Sequence, residues 1–371
     1  MSARPAAQER RRTTTVAPAN RARVRGMSAG SAPYSVEFDG RTVYDFLVSL
    51  GVGEADGHDI LAEDRRWLTA ARGSLSPARR DDLEACFGDS AKAFCGAVGA
   101  LAVISPEART ARQFVTALAT LDTRTVLHEM LGEVIRTPEA RDQLDRILAG
   151  GADEIPAFAA RTDDYHLESI AELLAAPSAW VDRIRGLLGE WVVRYEEVEE
   201  RVERMIKRDL ALREDERASL PQGELIERVT GGIRWLGEAA ITRVVLSPSY
   251  FARPFNFVYA GRDWRLFAYP IADEALDSAD ESAPPPALVR LHRALGDESR
   301  LRILRLLRDR DMYLTELALQ LEVSKPTMKH HLAQLRAAGL VTMTEEGSMT
   351  YYSLRRDRLE QADDEIRRFL T

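Results

Sequence analysis

The residues from Ser324 to Val341 constrain the fold of this chain most, because one short stretch combines a helix start, an amphipathic helix and a helix stop. Ser324 is a good N-cap, Pro326 is tolerated in the first turn, and Gly339 can adopt the left-handed conformation that ends a helix. At about 100° per residue, one narrow apolar stripe forms from Met328, Leu332 and Leu335. The stretch therefore predicts a helix over 325–338 with one buried face.

The other faces of this helix are polar and basic. Thr327, His330 and Gln334 point away from the apolar stripe. His331 lies about 60° from the stripe, so packing at the edge of the helix and contact with a ligand both stay open for it. A basic flank is formed by Lys325, Lys329 and Arg336.

The flanking sequence predicts the rest of a small domain. Thr315 can cap a short helix over 316–321, and only two residues separate that helix from Ser324. A third helix begins near Asp297. Two β-prone runs at 340–344 and 349–354 surround a turn, which indicates a hairpin. A helix-turn-helix followed by a hairpin is a winged helix.

Residues 287–371 resemble the DNA-binding domain of the ArsR/SmtB-type bacterial repressors. Residues 294–304 match the second helix of that family, and residues 324–341 match its recognition helix. The resemblance implies a homodimeric repressor that places one recognition helix per subunit in successive major grooves of double-stranded DNA. It also implies dimerisation through two helices, whose apolar residues are Leu288 and Leu291, and Leu359, Ile366 and Leu370. The DNA-contact candidates are Ser324, Lys325, Thr327, Lys329, His330 and His331, with Gln334 as a weaker one nearer the helix C-terminus.

Three departures from the family pattern alter these expectations. Tyr313 and Thr315 occupy the positions of the two cysteines of metal-sensing members, which excludes a thiolate site there. Glu322 stands where the turn usually has glycine, at a cost of about 1 kcal/mol if its φ is positive. Glu345 and Glu346 would repel phosphate at the wing tip. The nearby cations that could compensate are Arg355, Arg356 and Arg358.

Charge is distributed unevenly along the chain. The net charge is −8, with +6 in residues 1–26 and +2 in residues 287–371, so residues 27–286 carry −16. An acidic body would confine DNA binding to the basic face of the helix. The sequence contains no stretch of 18 apolar residues, no signal segment and only two cysteines, Cys86 and Cys95. We therefore expect a cytoplasmic protein that does not enter a membrane.

The expected fold is mainly α, with a helical N-terminal domain, a small β-hairpin element and then the winged helix. Tail residues 1–32 are basic and form either an arm that follows DNA phosphates or, if Met27 is the true start, an annotation artefact. The remaining divisions are a mostly helical domain at 33–240, the hairpin element at 241–272, an acidic proline-rich linker at 273–286 and the winged helix at 287–371.

Two patterns in the N-terminal region each allow a structural and a functional interpretation. An a/d spacing suggests either a dimeric coiled coil or packing within a helical domain, in the residues Ile184, Leu188, Trp191, Tyr195, Val198, Val202 and Met205. The aromatic hairpin formed by 255–259 and 264–269 either lines a ligand pocket or covers one of the two domains.

No catalytic motif is present in the N-terminal region, and the six histidines are scattered. The nearest approach to a metal site is Asp163-Asp164-Tyr165-His166 with Glu168, which is also typical of a loop before a helix. We expect no enzyme activity, no metal and no cofactor. The leading function is a dimeric regulator whose N-terminal region senses a small molecule or stabilises the dimer. The alternative is an N-terminal enzyme or docking module whose winged helix binds a partner.

Overall fold

The computed structural model describes residues 34–52, 59–87, 99, 102–162, 167–277, 284–346 and 349–370. The described part is mainly α, which confirms the predicted fold class. Several sequence predictions fall outside it. These concern the basic tail with Met27, Cys95, the Asp163–His166 group with the side chain of Glu168, residues 278–283 of the linker, and the wing tip at Gly347-Ser348.

The body of the molecule, residues 34–277, is built from helices that surround one long helix. That helix, α9 (Pro177–Leu212), is 36 residues long. The other described helices of the body are α1 (Thr42–Gly51), α2 (Ala62–Ser74), α3 (Pro77–Phe87), α4 (Ala111–Thr120), α5 (Thr123–Met130), α6 (Pro138–Leu148), α7 (Ile155–Ala159), α8 (Leu167–Ala175), α10 (Glu214–Ser219) and α11 (Gln222–Val229). Short 3-10 turns occur at Ala152–Glu154 and Asp273–Ala275.

Helix α9 packs within its own chain along the whole of its predicted seam. All seven a/d residues from Ile184 to Met205 are buried in the core of the body. Two of them also bond polar groups of α1, since Trp191 Nε1 donates to Ser49 Oγ at 2.9 Å and the Tyr195 hydroxyl donates to Asp45 at 2.9 Å. Intramolecular packing is therefore the correct interpretation of the pattern.

A four-stranded sheet packs on the helices. It contains β1 (Ser35–Phe38), β3 (Arg243–Ser249), β4 (Phe257–Ala260) and β5 (Trp264–Pro270), in the order β1-β3-β5-β4. The predicted hairpin is present as the antiparallel pair β4 and β5, with Val258 opposite Phe267. Its aromatic residues Tyr259 and Trp264 belong to the body core, so the hairpin covers the helical domain.

The sheet extends the predicted hairpin in a way that local sequence does not indicate. Strands β1, β3 and β5 are parallel to one another, with Val244 paired to both Val36 and Arg265. The crossover from β1 to β3 contains the helices of the body. The six residues of β3 after Arg243 are all buried, as expected for a parallel strand covered on both faces, although only Val244, Val245 and Leu246 form an apolar run. Residues predicted as separate elements at 33–240 and 241–272 thus share one sheet and one core.

Buried carboxylates join the helices of the body to each other and to the sheet. Each accepts a hydrogen bond from a tyrosine hydroxyl, in the pairs Asp45–Tyr195, Asp64–Tyr250 and Asp209–Tyr269. Burial raises the pKa of Asp45 to about 6, although four hydrogen-bond donors oppose that shift. Such groups are stable only when they are hydrogen-bonded, so these pairs fix the relative positions of the elements.

The C-terminal residues form the predicted winged helix. Its helices are α12 (Pro286–Leu295), α13 (Glu298–Leu307), α14 (Leu314–Gln320), α15 (Lys325–Ala337) and α16 (Arg356–Leu370), and its strands are β6 (Met312–Tyr313), β7 (Val341–Glu346) and β8 (Met349–Leu354). Helix α15 agrees with the predicted span. The prediction that Thr315 caps α14 is wrong, because α14 begins at Leu314 and the Glu316 carboxylate instead accepts from Tyr313 N at 3.0 Å.

One strand of the winged-helix sheet comes from the body. β2 (Ile233–Trp235) pairs in parallel with β7, and the sheet order is β2-β7-β8-β6. The sequence predicted only the hairpin of β7 and β8 within 287–371. A three-residue strand between glycines gives too little alternation to be recognised from its own sequence.

Glu322 adopts a positive φ of 55° in the turn between α14 and α15. Glycine has no Cβ to clash in this conformation. We therefore expect Glu322→Gly to raise the free energy of unfolding by about 1 kcal/mol, whereas Gln320→Gly at the end of α14 should lower it. Urea unfolding of the full chain measures both. Destabilisation by Glu322→Gly would contradict the strain assigned to this turn.

Candidate DNA-binding surface

Helix α15 is fixed by its cap and by one apolar stripe. Ser324 Oγ accepts from Thr327 N at 3.2 Å, and the two hydroxyls of these residues lie 2.8 Å apart. The predicted stripe of Met328, Leu332 and Leu335 is fully buried in the winged-helix core. Burial of this stripe sets the rotation of the helix and therefore determines which side chains face outward.

Five of the seven predicted contact residues form one exposed surface, which we call the α15 face. They are Ser324, Lys325, Thr327, Lys329 and His330. Gln334 is half-buried nearer the C-terminus. Within the described part of the chain, no carboxylate forms an ion pair with Lys325 or Lys329. The α15 face thus combines two available cations with hydroxyl and imidazole groups, which suit phosphate oxygens and base edges respectively.

His331 lies apart from the α15 face. Its side chain is 15% exposed, and Nδ1 is 3.9 Å from Oδ1 of Asp297, the N-cap of α13. Burial lowers the pKa of His331, while the carboxylate of Asp297 acts in the opposite direction. The structure thus places this residue at the contact between α13 and α15, which is the packing alternative that the sequence left open.

Arg336 does not belong to the basic flank predicted for it. It is 7% exposed, and its Nη1 donates to the carbonyl oxygen of Thr230 at 3.0 Å. Burial lowers the pKa of its guanidinium. Thr230 follows helix α11 in the body, 106 residues earlier in the chain. A partner so distant is invisible to helix phase alone, so the flank reduces to Lys325 and Lys329.

The wing is partly held by the body. The Glu345 carboxylate pairs with Arg265 of β5 at 2.7 Å, and its side chain is 17% exposed. Glu346 is exposed. The predicted repulsion of phosphate by both acids therefore applies to Glu346, whereas the charge of Glu345 is compensated within the chain.

The three arginines expected to compensate for the acidic wing have partners of their own. Arg358 pairs with Glu365 and is largely buried. Arg355 lies 3.4 Å from Asp357, and Arg356 donates to the carbonyl oxygen of Arg308. Of these, Arg358 is the least able to reach DNA, since it would have to leave a close ion pair.

None of the described helices is both long and apolar enough to cross a membrane.

A family model and several known proteins match this domain. The model of the family described as "Bacterial regulatory protein, arsR family" matches residues 297–343, from the N-cap of α13 into β7. The HTH-type transcriptional regulator CmtR of Mycobacterium tuberculosis is 41% identical over 80 residues, which are 22% of this chain and 68% of that protein. The transcriptional activator HlyU of Vibrio cholerae is 39% identical over 66 residues, 18% of this chain and 61% of that protein. The transcriptional repressor SdpR of Bacillus subtilis is 37% identical over 62 residues, 17% of this chain and 69% of that protein.

The position of His331 predicts that the free energy of unfolding depends on pH. A histidine whose pKa is lowered on folding contributes stability that is present above the unfolded pKa of about 6.5 and is lost as pH falls through the folded pKa. Acidification should therefore reduce the free energy of unfolding more in the parent than in His331→Gln. His330→Gln, which changes the exposed neighbour, should behave as the parent does. Urea unfolding at several pH values measures this. Equal slopes of unfolding free energy against pH for the parent and His331→Gln would refute it.

Proposed function

We propose that this chain, which belongs to the arsR family of bacterial regulatory proteins, is a DNA-binding transcriptional regulator that binds an inverted-repeat operator as a homodimer. The observation that supports this most is the α15 face, where two lysines, two hydroxyls and an imidazole are exposed on a capped helix of a winged helix. In this proposal the lysines bind phosphates, and Thr327 and His330 contact base edges.

The proposed dimer uses the C-terminal helix. Leu370 and Phe369 of α16 are 74% and 44% exposed, although both are large and apolar. Leu288 and Leu291 of α12 are buried within the chain, so they support α12 from inside and cannot reach a second subunit. Two copies of the α16 surface would bring two recognition helices to one operator, as an inverted repeat requires.

We further propose that the body senses a small molecule or stabilises the dimer, and that control is by repression in the cytoplasm. A polar groove of about 760 Å³ lies between the body and the winged helix, where a ligand would contact both. The charged residues that line it are Glu224, Glu227, Arg228 and Arg234 of the body, and Arg355, Arg356 and Asp357 of the winged helix.

We propose no catalytic role for the body, because its sequence contains no catalytic motif. The alternative is an N-terminal enzyme or docking module whose winged helix binds a protein. That arrangement would not require unpaired lysines beside hydroxyls on a recognition helix.

Selection of duplexes from a random-sequence library by the purified chain tests the proposal. We expect enrichment of an inverted repeat, bound in a salt-dependent manner. Lys329→Ala should weaken binding to all sequences and reduce the slope of log K against log salt by about 1. Thr327→Ala should reduce discrimination at one base pair by about 1–3 kcal/mol. Lys207→Ala, an exposed lysine of α9 in the body, is the matched control and should bind as the parent does.

Two results would contradict this account. If Lys329→Ala and Thr327→Ala both bind the selected duplex as tightly as the parent, the α15 face is not the contact surface. If the parent enriches no duplex at all, the docking alternative gains support.

A further inference from the structure

Strand β2 of the body and the hairpin of the wing belong to one continuous sheet. Leu236 N donates to the Glu345 carbonyl at 3.2 Å, and Met343 N donates to the Gly232 carbonyl at 2.8 Å. β8 pairs with the other side of β7, so β2 covers the edge that the wing would otherwise leave open. Movement of the wing relative to the body would break these backbone hydrogen bonds.

A row of alternating charges runs from the helices of the body to the wing. Arg136 pairs with Glu238 at 2.9 Å, Arg265 pairs with the other oxygen of Glu238, and Arg265 also pairs with Glu345 at 2.7 Å. The four side chains are between 14% and 24% exposed. The Arg265 guanidinium lies 5.8 Å from the ring centroid of Trp235, the register partner of Glu345. Glu345 is therefore held by a neighbouring strand and by a cation that is itself fixed in place.

The same junction reaches the recognition helix directly. The carbonyl oxygen of Thr230, one turn before β2, accepts from Arg336 of α15 at 3.0 Å and from Asn256 of the body at 2.9 Å. One backbone atom thus links the recognition helix to the loop before β4. A shift of this turn would displace the C-terminal half of α15.

A second attachment lies at α12. Arg290 pairs with Asp273 at 3.0 Å and with Asp59, while Arg253 of the body also pairs with Asp273. Arg253 and Asp59 are almost fully buried. The winged helix is thus attached to the body at α12 and at the wing, and loss of the wing contact alone would leave the α12 attachment in place.

The α15 face stays exposed while both attachments are made. We propose that this attached arrangement is the DNA-binding form, and that Arg265 and Glu345 are positioning residues that hold the wing and α15 in the orientation DNA requires. The inference rests on the proposed DNA-binding function. If it is correct, the body influences affinity for the operator through a contact that does not itself touch DNA.

Charge reversals at two neighbouring wing residues separate this role from simple electrostatics. Glu345→Lys and Glu346→Lys each make the wing more positive by the same amount, so attraction to phosphate alone predicts tighter DNA binding for both. Glu345→Lys also places a cation against Arg265 and should detach the wing. We expect Glu346→Lys to bind a library-selected duplex more tightly than the parent, and Glu345→Lys to bind it at least about tenfold more weakly, within the usual range of coupling between sites.

The conservative variant Glu345→Gln keeps an acceptor oxygen for Arg265 and should bind close to the parent. Fluorescence anisotropy at two salt concentrations gives the affinities. Hydrogen exchange of α9 and β7 should show an intact body and a less protected wing in Glu345→Lys. Binding of Glu345→Lys as tight as that of Glu346→Lys would overturn the inference. Absence of binding by the parent and by Glu346→Lys would instead refute the proposed function.

A second pair of variants tests the same junction from the recognition helix, and decides the matter if Glu345→Lys does not fold. Arg336→Met removes the bond to Thr230, and Arg305→Met changes an exposed arginine of α13 as its control. We expect Arg336→Met to weaken DNA binding about fivefold or more relative to Arg305→Met. Equal affinities of these two variants would overturn the inference.

Discussion

The pairing of β2 with β7 is the interaction on which the arrangement of this protein depends. A winged-helix hairpin leaves one strand edge with unpaired backbone groups, and here a strand of the body satisfies them. The chain reaches that edge through Gly231 and Gly232, whose φ values are 68° and 117°. A Cβ at residue 232 would lie 3.4 Å from the carbonyl oxygen of Val341, an ordinary contact distance, so it is the positive φ that favours glycine there. This turn brings Thr230 to Arg336 and Trp235 to Glu345.

The cationic side chains of the winged helix have two different roles. Arg290, Arg336 and Arg358 are held by groups of the same chain, and the first two attach the domain to the body. Lys325 and Lys329 remain exposed on α15. Some acidic side chains of the body pair with arginines at its junction with the winged helix. The net negative charge of the body therefore overstates how strongly the body repels DNA. Long-range repulsion by the remaining acids would still disfavour other orientations on DNA.

Features that depend on near neighbours in sequence could be predicted, and those with distant partners could not. The span of α15, its Ser324 cap and the positive φ of Gly339 all follow from residues within one or two turns. The cap predicted at Thr315 is wrong because the carboxylate of Glu316, one residue later, accepts the hydrogen bond at the start of the helix. β1 and β3 are parallel strands separated by the whole helical body, and no local pattern indicates such a pair. Arg336 has a cationic side chain on an outward-looking flank, and only the turn at Thr230 makes it a buried residue.

In the proposed DNA-binding form, strand β2 of the body stays hydrogen-bonded to the wing while the protein holds DNA. Hydrogen exchange at two backbone amides, Leu236 N and Met343 N, measures this directly, since both donate across the junction. We expect slow exchange at both amides in the free chain, and exchange that is equally slow or slower when a selected duplex is bound. Faster exchange at these two amides on DNA binding, with α9 unchanged, would show that the wing leaves the body to bind DNA and would contradict the account.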